Sequence, residues 1–150
     1  MKFSYDVGRW CAAAVLWTED GRYLLQRRDD KPGLLLRDHW AAFGGSVDEG
    51  ESGEAAIRRE LVEELEFAAR EVVFLTELTI SLPLATGRRW DRMSFYAVPI
   101  TEADVAAMVL HEGQEKRLFA VDALLREPKV APWDLAAILI HARGERLFAT

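Results

Sequence analysis

Apolar and polar positions mark two strand-like runs near the start of the chain and a helical period in its middle. Trp10 to Trp17 is an apolar run rich in Val, Leu and Ala, and Thr18-Glu19-Asp20-Gly21 is a turn signal before Tyr23 to Arg28. Two strands joined by a tight turn are predicted. A loop from Asp29 through Leu36 reaches His39 to Phe43, where Trp40 and Phe43 read as core anchors of a strand entering Gly44-Gly45. From Ser52 onward the spacing becomes helical. Val72 to Ile80 is β-rich and closed by Pro83, Gly87-Arg88-Arg89 marks a turn, and Trp90 to Ile100 reads as another strand. Thr101 to Asp104 reads as a helix start, Lys116 to Val121 as a strand, Asp122 to Arg126 as a helical turn, and Pro132 to Gly144 as a helix stopped by its glycine. Strands on either side of one central helix, with a closing helix, predict an α/β fold in which a mixed sheet lies between helices.

Composition narrows the setting. A chain of 150 residues makes one ordinary domain with a real core. Half the residues are apolar and 29% charged, which suits a soluble globular protein. The apolar runs are broken by charges far short of a membrane span, and no basic, apolar leader opens the chain, so a cytoplasmic protein without a membrane partner is expected. Cys11, the only cysteine, excludes an internal disulfide and reads as a core thiol in a reducing compartment. A net charge of −6 argues against binding nucleic-acid backbone. A polyanionic substrate must then be met by local Arg, Lys and metal.

The chemistry concentrates between Gly44 and Phe67. At about 100° per residue, Glu63 lies roughly 60° to one side of Glu60 and Glu64 about 40° to the other, so three carboxylates share one stripe. Ile57, Leu61, Leu65 and Ala68 form the neighbouring apolar stripe. Glu54 with Arg58 and Arg59 with Glu63 make helical pairs, whereas Glu60 and Glu64 lack such partners. A hard divalent cation, Mg²⁺ or Mn²⁺, converts that repulsion into coordination and leaves positions for water and phosphate. An isolated acidic helix face would simply be solvated. Here two glycines that permit close backbone approach precede it.

This stretch resembles the Nudix hydrolase family. Gly45, Glu51, Arg59, Glu60, Leu61, Glu63, Glu64 and Phe67 match the pattern G-x5-E-x7-R-E-U-x-E-E-x-G-U, with U apolar; Glu66 alone departs, standing where the family has glycine. Either Glu66 takes a left-handed conformation or the helix runs on past Phe67. The resemblance implies a Nudix-type α/β/α sandwich over nearly the whole chain. It implies Glu60 and Glu64 as metal ligands with the Gly44 carbonyl, Glu63 as ligand or base, and Glu51, Arg59 and Gly45 as supports beside them. The Glu112-Gly113-Gln114 loop looks like the place where the family adds a carboxylate, with Glu112 the match and Glu115 the reserve. Arg28 is the arginine expected on substrate phosphate, and Asp134 resembles a position that reads a nucleobase edge, although a carboxylate at a helix start is also favoured by the dipole. His39 receives no role.

The implied reaction is Mg²⁺-dependent hydrolysis of a diphosphate linkage in a nucleoside diphosphate derivative, a nucleoside triphosphate or nucleotide sugar. Homodimers are common among proteins resembling this one. A Nudix-fold sensor that holds a nucleotide without cleaving it, and an acidic partner-binding helix, are the competing readings.

Overall fold

The computed structural model describes residues 7–85 and 87–148. Its elements are β1 (Val7–Trp17), β2 (Arg22–Arg27), β3 (Trp40–Ala41), β4 (Phe43–Ser46), α1 (Gly53–Leu65), β5 (Val73–Leu84), β6 (Gly87–Pro99), α2 (Glu102–Ala107), β7 (Glu115–Ala120), α3 (Val121–Arg126) and α4 (Pro132–Phe148). The strands form one mixed sheet, parallel only where β1 meets β6.

Alternation along β1 builds the two layers. Ala12, Ala14 and Leu16 face Ile57, Leu61 and Leu65 of α1, while Ala13 and Val15 face Ala137 and Ile138 of α4. The predicted α/β sandwich is therefore the observed one, with the acid-bearing helix and the closing helix on opposite faces.

One irregularity positions the site. The C-terminal end of β1 pairs with β2 (Leu16 opposite Leu24), but its N-terminal part pairs with β4, Cys11 opposite Ser46 through Ala14 opposite Phe43. β3 pairs instead with β2 at Gln26 and Arg27. The segment 40–46 is thus wedged between two diverging strands, and its diglycine end emerges beside α1.

Several expected boundaries moved, each for a local reason. β5 runs through Pro83 to Leu84, because it is the edge strand beyond β6 and a missing outward N–H breaks no ladder there. Gly87 lies in β6 opposite Leu84 rather than in the turn itself. Gly144 lies inside α4, which continues to Phe148. α1 ends at Leu65, which leaves Ala68 outside the helix and exposed rather than on its apolar stripe.

Glu66 takes the left-handed conformation at φ 53°, and the Phe67 N–H returns to the Leu61 carbonyl at 3.2 Å. A residue with a Cβ there costs about 1 kcal/mol relative to glycine. The offsetting Glu66–His111 pair (3.1 Å) is more than half exposed and contributes only a few tenths. Glu66→Gly should therefore raise the thermal midpoint by about 1–3 °C. A lower midpoint would show that the His111 pair outweighs the strain.

Candidate active site

α1 starts cleanly, with the Ser52 hydroxyl accepting the Ala55 N–H (3.1 Å), and this sets the phase of its acids. Glu64 falls on the buried side, 4% exposed; Glu60 is half-buried and Glu63 exposed. The Gly44 N–H donates to Glu64 Oε2 at 3.1 Å, so the diglycine strand meets the helix directly. Glu112 lies against the same carboxylate. Burial first, then the hydrogen bond and charge of Glu112 and the charge of Glu60, push Glu64 up to about 9 against the opposing Gly44 N–H. Burial also raises Glu60, with Arg59 opposing and Glu63 and Glu112 adding to the rise.

Arg59 organises the exposed side of the cluster. Its Nε and Nη2 donate to the two oxygens of Glu51, both at 2.9 Å, and Nη2 also reaches the Ser46 carbonyl at 3.0 Å. Nη1 donates to Glu60 Oε1 at 2.8 Å and to Glu63 Oε2 at 3.4 Å. Glu60 therefore has an ion-pair partner after all. Helical spacing hid it, because neighbours in sequence do not normally face each other on a helix. The Arg59 guanidinium holds Glu51 down at about 2, and Glu51 in turn accepts the Asp48 N–H at 3.1 Å.

The loop carrying Glu112 is clamped from both sides. His111 N–H donates to the Glu64 carbonyl at 2.9 Å, and Gln114 N–H to the Arg27 carbonyl at 2.8 Å. The Gln114 side chain reaches the Arg28 carbonyl and Asp38 Oδ1. Asp38 also pairs with Arg27 (2.7 Å) and Lys129 (3.2 Å), and Arg27 chiefly holds it well below the usual carboxylate range. The reserve Glu115 pairs instead with Arg117. No local signal in the sequence joins Asp38 to Gln114.

On the α4 face a cavity of about 470 Å³ opens, lined by Arg9, Arg28, Leu35, Gly45, Trp133 and Asp134 among others. Glu60, Glu63, Glu64 and Glu112 do not line it. Glu60 adjoins it through Gly45, on which an added Cβ would lie 2.7 Å from Glu60 Cδ. Arg28 points here, its Nε donating to the Leu35 carbonyl at 3.1 Å. Arg88, Arg89 and Arg92 are engaged by Ser81, Asp91 and Glu77 respectively. Sequence patterning gave Arg9 no role because the strand was begun at Trp10; alternation extended back from Cys11 would have put Arg9 on the cavity face.

Asp134 is 4% exposed, and its Oδ2 accepts the Ala42 N–H at 2.9 Å, while Oδ1 has no protein partner. Burial pushes it up to about 6, opposed by that hydrogen bond and by Arg28. A carboxyl whose folded value is raised contributes stability that is full below its ordinary value and is lost as pH rises through about 6. That loss is on the order of 2–3 kcal/mol between pH 4 and 7. Asp134→Asn should flatten this part of the thermal-midpoint profile; an unchanged slope would remove Asp134 as its source.

Among the described residues no three acid, histidine or cysteine side chains stand close enough to hold an ion as placed, since Glu60 and Glu63 turn toward Arg59. The donor chemistry nonetheless fits a hard divalent cation. Burial and the nearby Glu112 disfavour a lone charge on Glu64, and carboxylate oxygens so placed suit a hard cation that would take the place of its proton.

A mixed sheet between helix layers, with an acid-bearing helix set against a diglycine strand, defines the Nudix class of α/β domain. The NUDIX domain profile matches residues 8–139, and the chain belongs to this family, whose hydrolases use divalent metal ions. Nucleoside triphosphatase NudI from Escherichia coli is 45% identical over 60 residues, covering 40% of this chain and 39% of that protein. The match thus spans well under half the length of this curated relative. A mutT/nudix family protein from Listeria innocua superposes with a TM-score of 0.76 at 22% identity, covering 96% and 99% of the two chains. The NUDIX domain of NrtR from Shewanella oneidensis, solved with ADP ribose, gives 0.69 at 23% identity over 97% and 90%.

Proposed function

We propose that this site hydrolyses the diphosphate linkage of a nucleoside diphosphate derivative, with nucleoside triphosphates the first candidates and nucleotide sugars the second. The observation that carries this reading is Glu64, buried, raised and pressed against Glu112 beside the Gly44 N–H. Such a group is unfavourable for folding alone and useful when a cation replaces its proton. The name of the NudI relative favours the triphosphate.

Glu60, Glu64 and Glu112 would hold Mg²⁺, with the Gly44 carbonyl adding an oxygen from the strand edge whose N–H already meets Glu64. When bound, the metal neutralises phosphate charge and lowers the pKa of an attacking water. The protein does the rest. Glu63, exposed at the edge of the cluster, is a further ligand or the base that takes the proton from that water. Arg59 and Glu51 fix the aim of Glu60 and Glu63, and Gly45, having no side chain, leaves room for the Glu60 carboxylate. Arg28 contacts phosphate on the cavity side, and Asp134 Oδ1 offers an acceptor to a donor on the base edge. Water adds across one phosphoanhydride, releasing a nucleoside monophosphate and the X-phosphate half.

An acidic chain with one free cysteine supports a cytoplasmic enzyme of small nucleotides that does not bind nucleic acid. Among the described residues no helix is long and apolar enough to cross a membrane.

The test mixes purified protein with canonical and oxidised nucleoside triphosphates, nucleotide sugars, ADP-ribose and dinucleoside polyphosphates, with Mg²⁺ or EDTA. Mg²⁺-dependent release of monophosphate from at least one is expected. Silence across the panel with ligand-dependent thermal stabilisation retained would favour a sensor, and no response to Mg²⁺ at all a partner-binding helix.

A further inference from the structure

Arg9 is a charged side chain on the cavity wall that the reading above leaves unused. Among the described residues it makes no ion pair, and its Nη2 donates only to the Ser46 hydroxyl, at 2.9 Å. The setting makes this informative. Acids outnumber bases 25 to 19 in the chain, and the other guanidinium at that end of the cavity, Arg89, is neutralised by two bonds to Asp91 at 2.7 and 2.9 Å. Placement adds to it. Ser46 follows Gly45, and its carbonyl accepts from Arg59, whose other nitrogen holds Glu60. Arg9 therefore reaches the diglycine strand on the cavity side at Ser46, one residue after the glycine that adjoins Glu60. Arg28 and Asp134 line the same cavity.

We propose that Arg9 receives the terminal anionic group of the substrate, beyond the cleaved linkage, and so favours nucleoside triphosphates over nucleotide sugars. This rests on reading the acid cluster as the phosphate site. A planar guanidinium suits a phosphate with two parallel hydrogen bonds, and a terminal phosphate carries the charge that this one lacks. The far end of a nucleotide sugar is an uncharged polyol that gives Arg9 nothing to neutralise.

The test compares wild type, Arg9→Ala and Arg9→Lys in two assays. Steady-state kinetics with Mg²⁺ uses the best triphosphate and the best nucleotide sugar from the panel. Calorimetry measures an α,β-methylene nucleoside triphosphate against the corresponding monophosphate. Arg9→Ala should raise KM for the triphosphate about tenfold, with kcat within about twofold and the nucleotide sugar unaffected. Kd for the methylene analogue should rise similarly, Kd for the monophosphate should hold, and Arg9→Lys should recover part of the loss. No change with the triphosphate, or equal losses for all ligands, would overturn the assignment. If wild type cleaves nothing, the hydrolytic reading fails, and the calorimetric pair still decides whether Arg9 receives the terminal phosphate.

Discussion

Glu64→Gln is expected to lower kcat by roughly a thousandfold or more while leaving the protein folded. The substitution keeps the shape of the side chain and its acceptor for the Gly44 N–H, and it removes the charge that a divalent cation needs. Several kcal/mol of transition-state stabilisation pass through such a ligand, and each 1.36 kcal/mol is tenfold in rate. Stability should move the other way in EDTA. The folded value of Glu64, about 9, lies above its ordinary one, so the stability tied to its proton is full near pH 4 and is lost as pH rises through about 9. Gln carries no such proton. The metal-free variant should therefore match wild type at pH 5 and exceed it at pH 8 to 9, and Mg²⁺ should stabilise wild type more than the variant. Near-normal turnover would remove Glu64 from the ligand set. A variant less stable at pH 9 would mean that Glu64 is not buried as a charge-averse group.

What could be read from the residues alone divides along the range of the interaction. The stripe of Glu60, Glu63 and Glu64 and the apolar stripe of Ile57, Leu61 and Leu65 follow from helical spacing, and all six positions lie within α1. The layer order was legible in the apolar residues of α4, suited to the sheet face opposite α1, and not in β1, whose residues from Trp10 to Trp17 are apolar throughout because both its faces are covered. Contacts between distant segments left no periodic trace. The approach of Glu112 to Glu64 depends on the clamp of His111 and Gln114, and Asp134 acquires its unpartnered oxygen only because Ala42 lies under α4. Residues that usually end elements misled where the surroundings removed their usual penalty. Pro83 sits on an edge strand, and the left-handed Glu66 is the converse, a residue without glycine's freedom held where glycine is expected.

The two glycines should separate folding from catalysis. Gly44 has φ +151°, and a Cβ there would overlap the Ala12 carbonyl oxygen and lie 2.8 Å from Ala13 Cα, both backbone of β1. Neither can yield without breaking the β1–β4 register that wedges the strand into place. Gly44→Ala should therefore destabilise by about 3–5 kcal/mol, combining backbone strain with overpacking, and lower the denaturant midpoint accordingly. Gly45 has ordinary φ, and its added Cβ would meet only the end of the Glu60 side chain. That carboxylate can swing away at little energetic penalty, so Gly45→Ala should keep most of the stability. It would also pull Glu60 off its Arg59 partner and out of the cluster, and turnover should fall about a hundredfold, since an angstrom of misplacement is felt strongly at a reacting centre. Chemical denaturation and Mg²⁺-dependent turnover on the two variants read these effects independently. If Gly45→Ala loses stability like Gly44→Ala, or keeps full activity, then Glu60 is not held where the diglycine strand meets the helix.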